Sequence, residues 1–122
     1  MNTDRILITG SNGLIGGIIW PNLLDDYEIF GIDKSNHNKN SRTITADLSH
    51  YDQIFNIVRN ISPLSYIIHL AANSSEDAGL KSVWKNNIIA TMNIYSAARI
   101  CGVKRIIFIS SNLVVSHFDF DG

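Results

Sequence analysis

Three observations predict an α/β fold built on a doubly wound parallel sheet. Short apolar runs alternate with longer amphipathic stretches along the whole chain, the rhythm of repeated strand-helix-strand units. The run Ile106-Ile107-Phe108-Ile109 is apolar at every position, as a strand is when helices cover both faces of its sheet. Gly10, Gly13 and Gly16 follow the first apolar run directly, where a strand would turn into a helix.

The elements follow in order. Residues 4–9 form the first strand on the apolar run Ile6-Leu7-Ile8, and a helix over 13–25 follows the glycines. Pro21 lies inside that helix, where proline removes a hydrogen bond and presses on the carbonyl four residues earlier. That earlier residue is Gly17, so the expectation is a bend near 17–21 and no helix end. A second strand spans 28–32 (EIFGI); the wholly polar 34–42 after it has no periodicity and reads as a mobile surface loop. Strand 43–46 (TITA), helix 50–61, strand 65–70 (SYIIHL), helix 80–101 and strand 104–110 (KRIIFIS) complete the series, with right-handed crossovers and a sheet that stops after its fifth strand.

Composition narrows the function. With 122 residues, 45% hydrophobic and 17% charged, the chain is one ordinary globular domain able to bury a core. A net charge of −1 provides no basic field for nucleic acid. The lone Cys101 offers neither an internal disulfide nor metal-ligand spacing, so no metal is expected. The start Met1-Asn2-Thr3-Asp4-Arg5 is unlike a secretion signal, and no apolar run is long enough to span a membrane. The expectation is a soluble protein of the reducing cytoplasm.

The glycines carry the chemistry. In a strand-turn-helix unit Gly10 permits the tight turn, Gly13 lets the backbone approach a ligand, and Gly16 lets the helix pack near the strand. The helix start then offers unpaired N–H groups and a positive dipole end to an anion. A dinucleotide pyrophosphate fits, held by Gly10, Ser11, Asn12, Gly13, Leu14, Ile15 and Gly16, in a Rossmann-type domain. An ordinary glycine-rich turn is the plain alternative. The spacing is GxxGxxG in place of GxGxxG, and no Gly-Lys-Ser/Thr follows, which excludes a P-loop. Asp33 ends the second strand, 23 residues after Gly10, where a carboxylate accepts both ribose hydroxyls and repels a 2′-phosphate. NAD is therefore expected ahead of NADP. Asp33 could instead cap a turn, and Lys34, Lys39 and Arg42 could cradle a 2′-phosphate.

Together these residues resemble the extended short-chain dehydrogenase/reductases, the NAD-dependent epimerase/dehydratases. The likeness runs through "TGSNGLIG", Asp33, Asp47-Leu48, "HLAA" at His69–Ala72 and the stretch from Asn86 to Ser111. It implies that Asp47 accepts from the adenine amino group while Leu48 packs on the ring, although Asp47 could equally cap the next helix. It further implies that Leu70, Ala71 and Ala72 wall the middle of the cofactor. Asn87 and Asn93 match an N-x-x-x-x-x-N pattern whose amides tie the helix to neighbouring backbone, Asn87 near the cofactor. Lys34 and Ser110 complete the expected cofactor contacts. His69 is expected to be a hydrogen-bonded structural residue without chemistry.

By the same resemblance Ser111 is the expected catalytic hydroxyl, hydrogen-bonding the substrate's reacting oxygen, with Val114 in the family's valine place. Val115 and Ser116 depart from the family's Tyr-Gly there, and "SSN" at 110–112 is similar to uronate dehydrogenase-like members. The family's Tyr-x-x-x-Lys, which shuttles the proton during hydride transfer, does not occur within these residues. The expectation is the NAD-binding part, residues 1–122, of a sugar or nucleotide-sugar epimerase, dehydratase or dehydrogenase, lacking the C-terminal substrate region. The alternatives are a non-catalytic dinucleotide-binding or redox-sensing module and an NADP-binding, isomerase-like reductase. The resemblance also implies a homodimer through helix 80–101, by its Ile88, Ile89, Met92 and Tyr95.

Overall fold

The computed structural model describes residues 3–36, 40–72 and 79–109. Five strands, β1 (Arg5–Thr9), β2 (Glu28–Asp33), β3 (Thr43–Thr45), β4 (Tyr66–His69) and β5 (Arg105–Phe108), form one sheet in the order β3-β2-β1-β4-β5. Every pairing is parallel. Strand order therefore runs outward in both directions from β1, and the two halves diverge beyond the carboxyl ends of β1 and β4. Open α/β sheets place their ligands at such a point.

Side chains alternate across β1 with the period of two that a strand imposes. Leu7 joins Ile32 and Ile67 under Ile54, Val58 and Ile61 of α2 (Tyr51–Ile61) and Ile94, Ala97 and Ala98 of α4 (Ala90–Ile100). On the opposite face Ile6, Ile8, Ile29 and Ile68 pack under Ile19, Trp20 and Leu23 of α1 (Leu14–Leu23). Each such aliphatic side chain, fully buried, contributes about 1.5–3 kcal/mol. The small Ala90, Ala97 and Ala98 let α4 lie close to the sheet.

α1 continues through Pro21 to Leu23, as expected, because the carbonyl that proline crowds belongs to Gly17, around whose missing side chain nothing lies within 4 Å. The expected helix over 80–101 has a different interior. α3 (Leu80–Val83) leads into a π-helical segment, Trp84–Ile89, before α4 begins, and Ala90 N–H donates five residues back to the Lys85 carbonyl. A π-turn holds more residues than an α-turn, so side chains upstream of Ala90 are rotated relative to those downstream.

The polar stretch 34–42 is pinned at its described ends. Asn36 Nδ2 donates to the Asn40 carbonyl and Asn36 Oδ1 accepts from Asn40 N–H, at 3.0 and 3.1 Å. Arg42 and Arg5 both reach Glu28, at 3.0 and 2.8 Å, and both lie over the Phe30 ring. These hydrogen bonds, Arg42's foremost, hold the Glu28 carboxyl below its usual range. The cluster sits where β2 begins, toward the end of the sheet away from Asp33.

Candidate functional site

A cleft of about 780 Å³ opens at the carboxyl ends of β1, β2 and β4, within the range of small-ligand sites. Its floor is the turn from β1 into α1, and the three glycines there answer to different neighbours. Gly10 has φ 70°, and a Cβ on it would stand 2.9 Å from the Ala71 nitrogen beyond β4. A Cβ on Gly16 would stand 2.5 Å from the Ser11 carbonyl oxygen and 2.8 Å from that of Gly10. Those two side chains are absent because the protein's own backbone occupies the space. Gly13 is the residue before α1, in extended conformation, and its Cβ would touch only the Gly10 oxygen, at 3.2 Å. It faces the cleft together with Leu14, Ile15 and Gly16. No side chain caps the helix start and its first turn holds no acidic residue, so the leading N–H groups and the positive end of the dipole are available to an anion.

Asp33 closes one side. Its Oδ2 accepts from Asn12 N–H at 2.9 Å and its Oδ1 from Ser35 N–H at 3.1 Å, while Asn12 Nδ2 donates to the Ser35 carbonyl at 2.5 Å. The carboxylate is thus held at the lip of the cleft, each oxygen keeping a lone pair for a further donor. Ser11 turns inward instead, its buried Oγ 2.5 Å from where a Cβ on Gly31 would lie. Lys34 Nζ reaches across to Asn86 Oδ1, and Asn86 Nδ2 donates to Ser82 Oγ at 3.0 Å.

On the far side Asp47 and Leu48 meet Asn86 and Ala90. Burial opposes ionisation of Asp47, but the N–H and hydroxyl of Ser49 and the Lys85 ammonium at 3.3 Å outweigh it and lower its pKa to about 2. Asp47 therefore orders the turn before α2 and lines the cleft, but it does not cap the helix as one reading of the sequence expects, since the N-cap is His50 and no side chain caps it. Asn93 Nδ2 donates to the Leu48 carbonyl at 2.8 Å, the tie to neighbouring backbone expected of it.

The end of β4 is held by a closed hydrogen-bond chain around buried His69. Thr91 Oγ1 donates to the Asn87 carbonyl, so toward His69 Nε2, 2.9 Å away, it accepts. The proton is then on Nε2 and Nδ1 accepts from Thr9 Oγ1 at 2.6 Å. Thr9 Oγ1 in turn accepts from the N–H groups of Leu70 and Ala71, both at 3.2 Å. Burial drives the His69 pKa down to about 4. A neutral ring that orients the cleft wall at Leu70 and Ala71 is a structural residue, as expected.

The sequence pattern of the NAD dependent epimerase/dehydratase family matches residues 6–120. The chain belongs to that family. It is 29% identical to the uronate dehydrogenase of Pseudomonas putida over 97% of this chain and 44% of that protein. Among solved structures, uronate dehydrogenase from Agrobacterium tumefaciens superposes with a TM-score of 0.79 at 29% identity, over 89% of this chain and 41% of that one. The UDP-glucose 4-epimerase of Thermus thermophilus, solved in complex with NAD, gives 0.78 at 25%, over 88% and 37%. The chain spans less than half the length of the curated relatives it matches.

Against this family framework, the structure gathers most of the expected residues on one cleft: Gly10, Gly13, Leu14, Ile15 and Gly16 from the turn, Asp33 and Lys34 from β2, Asp47 and Leu48 after β3, and Leu70, Ala71 and Ala72 after β4. Ser11 and Asn12 act behind it, Ser11 packed against Gly31 and Asn12 bracing Asp33. On the long helix Asn86 lines the cleft together with Ala90, whereas Asn87, the residue expected near the cofactor, is not among its lining residues. Ser110 and Ser111, and with them the expected catalytic hydroxyl, lie outside the described residues, as do Val114, Val115, Ser116 and Lys39. Sequence reasoning missed Ile32, Ala46, Asn86 and Ala90 as lining residues. Ala46, beside Asp47 in "TADL", was the nearest available signal.

Proposed function

We propose that this cleft binds NAD, with the pyrophosphate over Gly13–Gly16, the adenosine ribose on Asp33 and the adenine between Leu48 and the helix at Asn86 and Ala90. The observation that carries the reading is the convergence of an uncapped helix start, a side-chain-free Gly13 and a braced carboxylate on one cleft. The donor set suits the cofactor: N–H groups for phosphate, carboxylate oxygens with spare lone pairs for ribose hydroxyls, and apolar walls for a base. NAD, when bound, supplies hydride acceptance or donation at its nicotinamide. This chain's own residues bind and orient it, and the neutral His69 fixes the backbone along its middle without exchanging a proton near neutral pH.

The whole protein's activity is read as oxidoreduction, epimerisation or dehydration of a sugar or nucleotide-sugar, in the reducing cytoplasm, with Ser111 orienting the reacting oxygen. Calorimetric titration tests the binding step. Gly13→Val should abolish NAD binding by filling the phosphate's space, and Asp33→Ala should mainly erode the preference for a ribose bearing free hydroxyls. Unchanged NAD affinity in Gly13→Val would refute the assignment. The outward face of the long helix, with Ile88, Met92 and Tyr95 exposed, supports self-association as a homodimer. Light scattering should then show a dimer that Met92→Lys dissociates, and a stable monomer at high concentration counts against it.

A further inference from the structure

The long helix is packed into the core from Ala90 onward. Ala90, Ile94, Ala97 and Ala98 of α4 are buried, whereas no residue of α3 or of the π-helical segment Trp84–Ile89 is. A helical stretch without a buried face has little tertiary packing to hold it, so its opening requires little free energy. Two side-chain bridges tie this stretch to the cleft, and they start from consecutive positions and reach opposite lips. Lys85 Nζ meets Asp47 Oδ2 at 3.3 Å, in the turn before α2. Asn86 Oδ1 accepts from Lys34 Nζ, just past the end of β2. Lys34, Asp47 and Asn86 line the cleft and Lys85 does not. The Lys85 side chain is 53% exposed, so the ion pair runs along the rim. His50 Nε2 stands 3.7 Å from the same Asp47 oxygen but comes from the same turn, so it spans nothing.

We propose that the Trp84–Ile89 segment is a strap over the adenine end of the cleft, latched at the rim by the Lys85–Asp47 pair, and that it gates entry and release of the cofactor. The inference rests on the nucleotide reading above and concerns the kinetics of the same site. With the adenine between Leu48 and the helix at Asn86 and Ala90, the base passes between Asp47 and the strap on its way in. The pair must therefore part for entry and re-form over the bound base. Parting is easy, because an exposed ion pair contributes little and is screened by salt. The joint lies at the root of the strap, where Ala90 N–H donates five residues back to the Lys85 carbonyl and Thr91 Oγ1 donates to the Asn87 carbonyl. Helices carry π-turns mainly at functional sites. The Asp47 carboxylate stays ionised near neutral pH with the latch open, since the N–H and hydroxyl of Ser49 remain on its Oδ1. The latch thus alters the path to the site and leaves the contacts within it in place.

Hydrogen exchange read by mass spectrometry, together with stopped-flow mixing with NAD, tests this on the intact chain. Without nucleotide, Lys85→Met should speed exchange over residues 84–89 about two- to fivefold, the range that loss of an exposed pair allows, and leave α4 beyond Ile94 unchanged. Raised salt should do the same to the wild type and little to the variant. With NAD, the association and dissociation rates of Lys85→Met should both rise about two- to fivefold while Kd stays within about twofold, and Lys85→Arg should behave as the wild type. Faster dissociation alone, with a weaker Kd, would make Lys85 an ordinary binding contact and overturn the gate. Unchanged exchange and unchanged rates would overturn it too. Both outcomes leave the NAD reading standing, whereas failure of the wild type to bind NAD overturns that reading and the gate with it.

Discussion

Acidification should unfold this protein through His69, at a pH set by burial. The imidazole sits between Thr9 and Thr91 as an Nε2–H tautomer, and protonating Nδ1 would turn the acceptor of the Thr9 hydroxyl into a second donor. Thr9 Oγ1 already accepts from two main-chain N–H groups, so the chain has nowhere to put the extra proton without breaking a bond. The folded pKa of about 4 lies below the ordinary 6.5, so between those values the unfolded chain binds more protons and stability rises with pH. The contribution is fully present above pH 6.5 and is lost progressively as pH falls to about 4. At 1.36 kcal/mol for each tenfold change in proton affinity, the loss comes to about 3 kcal/mol, a large share of a small domain's stability. Urea denaturation at a series of pH values, for the wild type and for His69→Leu, isolates it. The variant is less stable throughout, because it strands the Thr9 hydroxyl proton, but the wild type should lose about 3 kcal/mol more than the variant between pH 7 and 4. Parallel pH curves for the two proteins would refute the reasoning.

Two further outcomes follow from the cleft's geometry. Gly16→Ala forces a Cβ against the Ser11 and Gly10 carbonyls and should destabilise by about 1–3 kcal/mol, measured by denaturation without ligand; an unchanged midpoint would show that the turn relaxes freely. In Lys85→Met, the Asp47 pKa followed by NMR should rise from about 2 while staying below 3.8, since the Ser49 donors remain. The stability Asp47 provides, present above pH 3.8 and lost toward pH 2, should shrink accordingly; an unmoved pKa would remove Lys85 from the account.

Local signals in the chain were strong where one element decides its own shape. Ile6-Leu7-Ile8 followed by Gly10 specifies a buried strand and a left-handed turn whatever surrounds them, and Gly17 before Pro21 specifies a helix that survives its proline. The unlike roles of three equally spaced glycines were not legible. Whether a missing side chain makes room for Ala71, for the Ser11 carbonyl or for a ligand depends on segments as much as sixty residues away. Gly31 carried no signal at all, since its constraint comes from Ser11 and Thr43 on either side.

The sequence by itself determined the order of the elements, the glycine turn from β1 into α1 and the carboxylate at the end of β2, because periodicity, glycine spacing and chain position are local quantities. Only the tertiary structure decided which cation attends that carboxylate and which asparagine faces the cleft. Arg42 and Lys34 are equally basic in the sequence, but pairing with Glu28 holds one away from Asp33 while the other lines the cleft beside it. Asn86 and Asn87 are adjacent and chemically identical, and only the way the helix lies against the sheet sets which of them lines the cleft. Charge partners and helical phase arise from packing between distant segments, which no window of the chain contains.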